Sequence, residues 1–309
     1  MASLSAVNCR DLIDPHPRLR LPPALHSAYR AELEDRGLLP AAVVGSMEKN
    51  IHGGPTPEET LEHFKYRFTN SAVRVVCVLV DPAHVFASLP AEVFQSFSSH
   101  KIAVLDVACG AGASLLSLAT VLGVVRSARL LPSLPLELSV YAADISETAL
   151  AIYSNLVGRI GPILEQQGIS LRVTTTVWDA AHPDQTSALC DSWFSDSSDA
   201  NEHFVLVGNI SGVGKGAFDH LERSFLHIGE RIANRASTLL WIEPGISSSL
   251  SFMQKVVNLV RRKLSWLTRS TGVDETLSCE FAWWHPIEEK ELAGTVSVQR
   301  FSRSKASEL

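Results

Sequence analysis

The feature that most constrains the fold is a strand, a tight turn and a helix, which follow one another in residues 102–119. Residues 102–107 form an apolar, β-branched-rich run, the glycines Gly110 and Gly112 follow it, and residues 113–119 favour a helix. A short apolar run that leads through a turn into a helix is typical of a strand buried on both faces of a parallel sheet. The sequence therefore predicts an α/β fold.

The turn is also a candidate ligand site. Because Gly110 and Gly112 lack a Cβ, we expect the backbone to approach a ligand closely there. Asp106 would repel a pyrophosphate but would pair with an ammonium group or a ribose hydroxyl, which favours a phosphate-free nucleoside that carries an amino acid. Two alternatives stay open: a dinucleotide site, which would place a glycine where Leu115 stands, and a structural turn without a ligand.

Length and composition limit the classes of protein that remain. One α/β domain with an N-terminal extension accounts for 309 residues, of which 46% are hydrophobic. We expect an N-terminal arm and helical cap over residues 1–99 and the ligand-binding domain over residues 100–309. The net charge of −6 makes a nucleic-acid partner unlikely and favours a small-molecule substrate.

The cysteines and the apolar runs give expectations about location. Cys9, Cys77, Cys109, Cys190 and Cys279 are widely spaced, so neither a disulfide framework nor a metal site is expected. The chain begins without a signal-like segment, and no run reaches the ~18–20 apolar residues that a membrane span needs. We expect a soluble, cytoplasmic protein with reduced cysteines, whose oligomeric state the sequence leaves open.

Polar residues follow further predicted strands, at the edge of the sheet where ligands bind in open α/β folds. The strand over residues 138–143 ends at Asp144, an acid placed to accept the two hydroxyls of a ribose. The strand over residues 203–208 delivers Asn209 and Ser211, the polar groups best placed for chemistry. The distance in sequence from the glycine turn to Asp144 exceeds the usual ~20 residues, and a proline-bearing insertion accounts for the excess.

The run Asp-Val-Ala-Cys-Gly-Ala-Gly at residues 106–112 resembles motif I of the class I S-adenosylmethionine (SAM) dependent methyltransferases. This resemblance implies a Rossmann-like, seven-stranded class I methyltransferase sheet over about residues 100–301, preceded by an N-terminal helical cap. It implies SAM as the cofactor and assigns these residues to its binding: Asp106, Ala108, Gly110, Gly112, Asp144, Ile145, Trp178, Asp179 and Asn209.

Within this resemblance the residues have separate roles. Asp144 would hold the ribose, Trp178 and Ile145 would flank the adenine ring, and Asp179 would accept a hydrogen bond from the exocyclic amine. The segment Gly-Asn-Ile at residues 208–210 resembles motif IV of enzymes that methylate amino groups, but it lacks the Pro-Pro-Tyr or Pro-Tyr continuation of those enzymes.

The expected catalytic residues come from two places. Asn209 and Ser211 would orient the acceptor, while Tyr66 would shield the sulfonium with its ring face. Tyr66 and Arg67 belong to a helix that begins after Thr56 with a proline and two acids in its first turn, and they are our candidates for a lid.

Three functions are compatible with these patterns. The first is a SAM-dependent methyltransferase that acts on a small molecule. The second is an enzyme similar to azetidine-2-carboxylate synthases, which transfers or cyclises the aminocarboxypropyl arm of SAM and releases methylthioadenosine. The third is a non-catalytic SAM-fold protein that binds RNA or a ribosomal partner through Arg261, Arg262 and Lys263, since the Trp-Ile-Glu-Pro-Gly turn at residues 241–245 resembles a mitochondrial ribosome-assembly family.

Overall fold

The computed structural model describes residues 9–45, 51, 53–98, 100–210, 217–232, 235–246, 249–251, 253–255, 258 and 276–303. In the described part of the chain, four helices precede the first strand, and strands and helices then alternate as far as the fifth strand. The helices are α1 Pro23–Asp35, α2 Leu39–Val44, α3 Pro57–Val80, α4 Leu89–Ser96, α5 Ala113–Ser127, α6 Glu147–Glu165, α7 Pro183–Asp196 and α8 Ala217–Ile232. The strands are β1 Lys101–Val107, β2 Leu136–Asp144, β3 Ile169–Val177, β4 Glu202–Gly208, β5 Ser237–Glu243, β6 Leu277–His285 and β7 Lys290–Arg303.

The strands form one seven-stranded sheet in the order β3-β2-β1-β4-β5-β7-β6. The first five strands in sequence are parallel, whereas β7 runs antiparallel to both β5 and β6. β1 and β4 are neighbours in the sheet, but the helices that follow them, α5 and α8, pack on opposite faces of it. A topological switch point therefore lies between these two strands, and α/β folds bind their ligands at such points. The predicted α/β fold with a Rossmann-like, seven-stranded sheet is confirmed.

Alternate residues of the strands enter two different cores. Ile102 and Val104 of β1 face the core that contains α1, α3, α4, α5 and α6, while Ala103 and Leu105 face the core that contains α7 and α8. All four of these side chains are fully buried. The apolar run that opened the sequence argument is therefore apolar because helices cover both faces of β1.

Helix α3 is longer than the sequence indicated. We expected a helix that reaches Phe68, followed by a separate apolar segment, but one helix of 24 residues runs from Pro57 to Val80. The side chain of Thr56 accepts a hydrogen bond from the backbone of Glu59, and Glu59 closes a capping box at this end. The second half of α3 is apolar because it packs against α5 in the first core.

Helix α7 corrects another expectation. Residues 182–202 are polar enough to predict an irregular stretch with a mobile loop at residues 195–199, yet Pro183–Asp196 is helical. Pro183 occupies the first turn, and Leu189 and Trp193 bury their side chains against the sheet. Three or four apolar residues on one face were enough to fix this helix, although most of its sequence is polar.

The N-terminal arm is attached to the far edge of the sheet. Leu19 donates its N–H to the carbonyl of Ala282 at 2.9 Å and accepts one from Trp284 at 2.9 Å. The arm thus extends the sheet beyond β6 and covers an edge that would otherwise expose unpaired backbone groups. Among the helices described here, none combines the length and the apolar character that crossing a bilayer requires.

Candidate active site

A pocket of about 460 Å³ opens at the carboxyl ends of the parallel strands. Its volume lies within the range of small-molecule sites. The loops after β1, β2, β3 and β4 form one side of it, and α3 forms the other. The structure brings together seven of the residues assigned from the sequence: Ala108, Gly110, Asp144, Ile145, Trp178, Asp179 and Asn209.

Asp144 ties two of these loops together. Its Oδ2 accepts the N–H of Gly110 at 2.8 Å, and its Oδ1 accepts the N–H of Ser146 at 2.9 Å. Burial raises the pKa of this carboxyl, and the backbone N–H groups of Ser146 and Gly110 act in the opposite direction. Each oxygen keeps acceptor capacity, because a carboxylate oxygen can take more than one hydrogen bond. The carboxylate can therefore accept hydrogen bonds from two further hydroxyl groups in the pocket.

Different structural constraints favour glycine at the two positions of the turn. Gly110 has φ +53°, and a Cβ built there meets nothing within 4 Å, so the pocket itself occupies that space. Gly112 has φ +81°, and a Cβ there would lie 2.5 Å from the ring of Tyr153. Gly112 does not line the pocket. The ring of Tyr153 fills the space where its Cβ would lie, and its assignment to the cofactor stays a prediction.

Asp106 also lies outside the pocket wall. Its side chain is 1% exposed, and its Oδ2 accepts the hydroxyl of Tyr153 at 3.0 Å. Burial raises its pKa to about 7; the Tyr153 hydrogen bond opposes this shift, and the negative charge of Asp144 adds to it. The sequence predicted direct contact with an ammonium group or ribose. The structure instead places Asp106 one layer beneath the turn, because residue 106 belongs to the strand rather than to its exposed end.

The predicted adenine contacts occupy the end of the pocket beside β3. Ile145 is 43% exposed, which is high for an isoleucine and leaves an apolar surface in the wall. Trp178 is 2% exposed, and its Nε1 donates to Oγ1 of Thr186 at 3.0 Å, so its ring is anchored in the core beneath. Asp179 accepts the N–H of Ala181 at 2.9 Å through Oδ1. This part of the pocket offers apolar surface with one carboxylate at its rim.

Asn209 holds a strained position at the end of β4. It has φ +60°, Ala108 at the end of β1 has φ +51°, and such conformations in residues other than glycine cluster at functional sites. Oδ1 of Asn209 accepts a hydrogen bond of 2.6 Å from Nη1 of Arg74. Among the described residues, its Nδ2 has no hydrogen-bond partner although the atom is buried. Buried amide donors in proteins are normally hydrogen-bonded, so this N–H group needs an acceptor.

Arg74 belongs to a buried charge arrangement behind Asn209. Burial lowers its pKa to about 10, while the charge of Glu243 raises it, so the guanidinium remains charged at neutral pH. Glu243 is fully buried, and its Oε1 accepts the N–H of Ile210 at 3.0 Å and the indole N–H of Trp241 at 2.8 Å. The carboxylate at the end of β5 thereby fixes the backbone beyond Asn209.

Tyr66 does not line this pocket, where we expected its ring to shield the sulfonium. It lines a second cavity together with Arg67, on the neighbouring face of α3. The reason is helical geometry: position 66 lies on the side of α3 opposite to positions 64 and 68. Ser211, the other predicted catalytic residue, lies outside the described residues, and so do Arg261, Arg262 and Lys263.

Several pocket residues were missed at the level of sequence. They share one face of α3 and are Thr60, His63, Phe64, Phe68 and Ser71. Oγ1 of Thr60 and Oγ of Ser146 are 2.6 Å apart, which links α3 to the loop after β2. Their spacing of three and four residues was a visible signal, but nothing in the sequence told which face of α3 meets a ligand. In the described part of the chain, no three His, Cys, Asp or Glu side chains are grouped to hold a metal ion.

Comparison with known proteins gives matches only among solved structures. No family model matches the chain. No curated protein matches it either.

Three of these structures illustrate the likeness. A structure described by the conversion of a disulfide bond into a thioacetal group during echinomycin biosynthesis is 16% identical, with a TM-score of 0.37, over 71% of this chain and 83% of its own. Precorrin-6y C5,15-methyltransferase from Geobacter metallireducens is 10% identical, with a TM-score of 0.37, over 69% and 86%. An O-methyltransferase from Bacillus cereus in complex with SAH is 10% identical, with a TM-score of 0.35, over 90% and 91%. At these scores, none of them assigns a substrate to the present chain.

Proposed function

We propose that this protein binds SAM in the pocket at the carboxyl ends of the strands and transfers its methyl group to a small molecule. The observation that carries the proposal is Asp144, a carboxylate in the pocket wall held by two backbone N–H groups beside the open space over Gly110. A nucleoside with two ribose hydroxyls and a flat base suits an acceptor pair flanked by the apolar surface of Ile145.

The residues present fit this cofactor. Gly110 leaves room for SAM, and Asp144 would accept hydrogen bonds from its ribose hydroxyls. Ile145 and Trp178 would flank the base, and Asp179 would accept a hydrogen bond from the exocyclic amine of that base. When bound, SAM supplies an electrophilic methyl group on a sulfonium. The protein's contribution is then to align the acceptor and to exclude water, because an in-line displacement needs little else.

Asn209 is the residue we assign to the acceptor. Its Oδ1 is committed to Arg74, which fixes the orientation of the amide and leaves Nδ2 as a donor. A donor fixed in this way can bind one lone pair of an acceptor hydroxyl oxygen, which leaves the other lone pair to attack the methyl group. Phe64 and Phe68 of α3 line the opposite wall and exclude water from it.

The partners and location follow from the same proposal. The protein would act on a small molecule, without nucleic acid or membrane, in the cytoplasm. All five cysteines lie in the described part of the chain, and none of them is in a disulfide, as a reducing compartment favours.

Asp144→Ala tests the cofactor assignment without knowledge of the acceptor. The change removes two charge-assisted hydrogen bonds to the ribose, and we expect S-adenosylhomocysteine to bind about 2–4 kcal/mol more weakly, roughly 30- to 1000-fold. Isothermal titration calorimetry measures this directly. Asp184→Ala, at an exposed acid in the first turn of α7, is the matched control and should leave the affinity unchanged. Equal affinities in folded Asp144→Ala, Asp144→Asn and wild type would refute the assignment.

One observation favours a second reaction. His63 lines the pocket, and an imidazole can take up a proton at neutral pH. Cyclisation of the aminocarboxypropyl arm requires an uncharged amine and hence such a base. Incubation of the protein with SAM alone separates the two reactions, since cyclisation releases methylthioadenosine without an acceptor, whereas methyl transfer yields S-adenosylhomocysteine only when an acceptor is added.

A further inference from the structure

The acidic side chains of the pocket lie towards one end of it. Among the described residues that line the pocket, the acids are Asp144 after β2 and Asp179 after β3. Asn209 follows β4, on the other side of β1. At about 4.8 Å between neighbouring strands, the backbone of Asn209 is about 10 Å from that of Asp144 and about 14 Å from that of Asp179. The two acids thus belong to the end assigned to ribose and base, away from Asn209.

Arg74 determines which atom of the Asn209 amide is available. Its Nη1 donates to Oδ1 of Asn209 at 2.6 Å, and its Nε donates to the carbonyl of Thr295 at 3.2 Å, so the guanidinium is itself held in place. The backbone N–H of Asn209 donates to the carbonyl of Ile242 at 2.8 Å, which fixes the other end of the residue. With its oxygen occupied, the amide offers Nδ2, which is buried and has no partner among the described residues.

A donor at this place distinguishes oxygen acceptors from nitrogen acceptors. A neutral amine has one lone pair, and when that pair attacks the methyl carbon, none is left to accept a hydrogen bond from Nδ2. An oxygen keeps at least one further lone pair for the donor. A nitrogen acceptor would therefore leave a buried N–H group unsatisfied during the reaction, which is costly.

The guanidinium also strengthens this donor. Its charge polarises the amide through Oδ1, and hydrogen bonds in such a chain reinforce one another. Burial lowers the pKa of Arg74 to about 10, the charge of Glu243 raises it and that of Arg67 lowers it, so Arg74 is charged at neutral pH. Glu243 offsets part of that charge, but its Oε1 accepts the N–H of Ile210 and not the amide of Asn209. A polarised N–H donor binds a charged oxygen more strongly than a neutral one.

Two hydroxyl groups accompany the amide donor. Ser114, in the first turn of α5, and Ser71, one turn before Arg74 on α3, both line the pocket. A Cβ built at Gly208 would overlap with Oγ of Ser114, so this hydroxyl lies against the residue that precedes Asn209. Because a hydroxyl can donate a hydrogen bond, this end of the pocket combines neutral donors with a cation behind them.

We infer that Asn209, oriented by Arg74, selects an acceptor that reacts through a negatively charged oxygen, either a carboxylate or the enolate of an acidic enol. The inference rests on the proposed function, because it names the substrate class of the same pocket. A lone pair of the oxygen forms the bond to the methyl carbon while the sulfur–carbon bond breaks and its electron pair stays on sulfur. The two charges cancel, and a methyl ester or methyl enol ether forms without release of a proton. Asn209 contacts the reacting oxygen, and Arg74 is a positioning residue.

Calorimetric titration of the full chain with SAM and with S-adenosylhomocysteine tests the substrate class. The titrations are run at constant ionic strength with acetate or the enolate of 1,3-cyclohexanedione, with the uncharged acetamide and cyclohexanone, and with cyclohexylammonium. We expect at least one anion to raise the affinity for SAM about fivefold or more, and that for S-adenosylhomocysteine less, because only SAM carries the sulfonium charge. A response to acetate alone identifies a carboxylate acceptor, and a response to the enolate alone identifies an enol. The uncharged probes and the cation should have no effect.

Asn209→Asp replaces the donor by a negative charge of the same shape. Aspartate tolerates the positive φ of this position, and its Oδ1 can still accept from Arg74. The anion effect should disappear, and it is read as the ratio of SAM affinities with and without the anion, so that any effect of the variant on the cofactor cancels. Asn201→Asp is the matched control, at an exposed asparagine whose Oδ1 accepts the N–H of Lys101 at the opposite edge of the sheet. It should keep the full anion effect.

The double variant Arg74→Met, Glu243→Gln tests the positioning role. It removes both buried charges together, and the glutamine oxygen can still accept the N–H of Ile210. The amide of Asn209 is then free to turn, and the anion effect should fall to about twofold or less while S-adenosylhomocysteine still binds. An undiminished anion effect would show that Arg74 does not select the acceptor.

Three further results would overturn the inference. The first is that neither anion changes the SAM affinity of the wild-type protein. The second is that an uncharged probe or cyclohexylammonium acts as strongly as the anions. The third is that Asn209→Asp retains the anion effect. Failure of the proposed function gives a different result, since the wild-type protein would then bind neither SAM nor S-adenosylhomocysteine.

Discussion

Asp106→Asn should make the protein more stable at alkaline pH and leave it nearly unchanged at acid pH. The native carboxyl is buried, and its pKa is raised from 3.8 to about 7. Between these two values the folded state holds a proton that the unfolded state has lost, so wild-type stability falls as pH rises. At about 1.4 kcal/mol per pH unit, the loss totals about 4 kcal/mol above pH 7. Asparagine has the same shape and carries no charge, so the variant escapes this loss.

The structure also limits what the substitution disturbs. Tyr153 donates its hydroxyl to Oδ2, and an amide oxygen can accept the same hydrogen bond. Oδ1 has no hydrogen-bond partner among the described residues, so the amide nitrogen would be as unsatisfied there as the protonated oxygen is at low pH. We therefore expect the two proteins to differ by about 1 kcal/mol or less near pH 4.

Urea unfolding at pH values from 4 to 9 measures the difference directly. The gap between variant and wild type should open between pH 4 and pH 7 and then stay constant. Asp11→Asn, at an exposed acid in the N-terminal arm, is the control and should give a constant difference across the range. Parallel stability curves for Asp106→Asn and wild type would show that Asp106 is ionised in the folded protein throughout, and the argument from burial would be refuted.

Four further substitutions test other parts of the structure. Gly112→Ala should cost about 3 kcal/mol of stability in urea unfolding, because it adds left-handed strain and overpacking. Gly110→Ala should cost about 1 kcal/mol of stability and weaken the binding of S-adenosylhomocysteine, which calorimetry would measure. Thr56→Ala should lower stability by about 1 kcal/mol through loss of the cap. Gly294→Ala should displace the ring of Phe281 and cost about 1–3 kcal/mol of stability, as urea unfolding would measure.

The fold was predictable because its signals are local. The central strands β1, β4 and β5 are largely apolar runs bounded by turns, and β1 shows the pattern most clearly because both of its faces are buried. The N-cap of α3 was equally visible at Thr56. The length of α3 was not, because a buried helix and a buried strand both appear as continuous apolar runs.

The pocket was predictable where the residue follows a strand and less so elsewhere. Asp144 and Asn209 lie at strand ends, and topology brings such positions together in any parallel sheet. Asp106 and Gly112 were assigned to the ligand from their residue types and from the resemblance to motif I, but their surroundings depend on Tyr153, which comes from α6, more than 40 positions later. The position of Tyr66 could not be predicted for a related reason, since the rotation of a helix about its axis depends on everything it packs against.

One consequence of α3 concerns how such a protein can change. Because this one helix borders both the pocket and the second cavity, one inserted residue would rotate everything before it by about 100° relative to everything after it. An insertion near position 65 would therefore displace Thr60 and Phe64 relative to Arg67 and Arg74 in a single step. A substitution changes one side chain and leaves these relative positions unchanged. We therefore expect homologues to tolerate substitutions in this segment more readily than changes in its length.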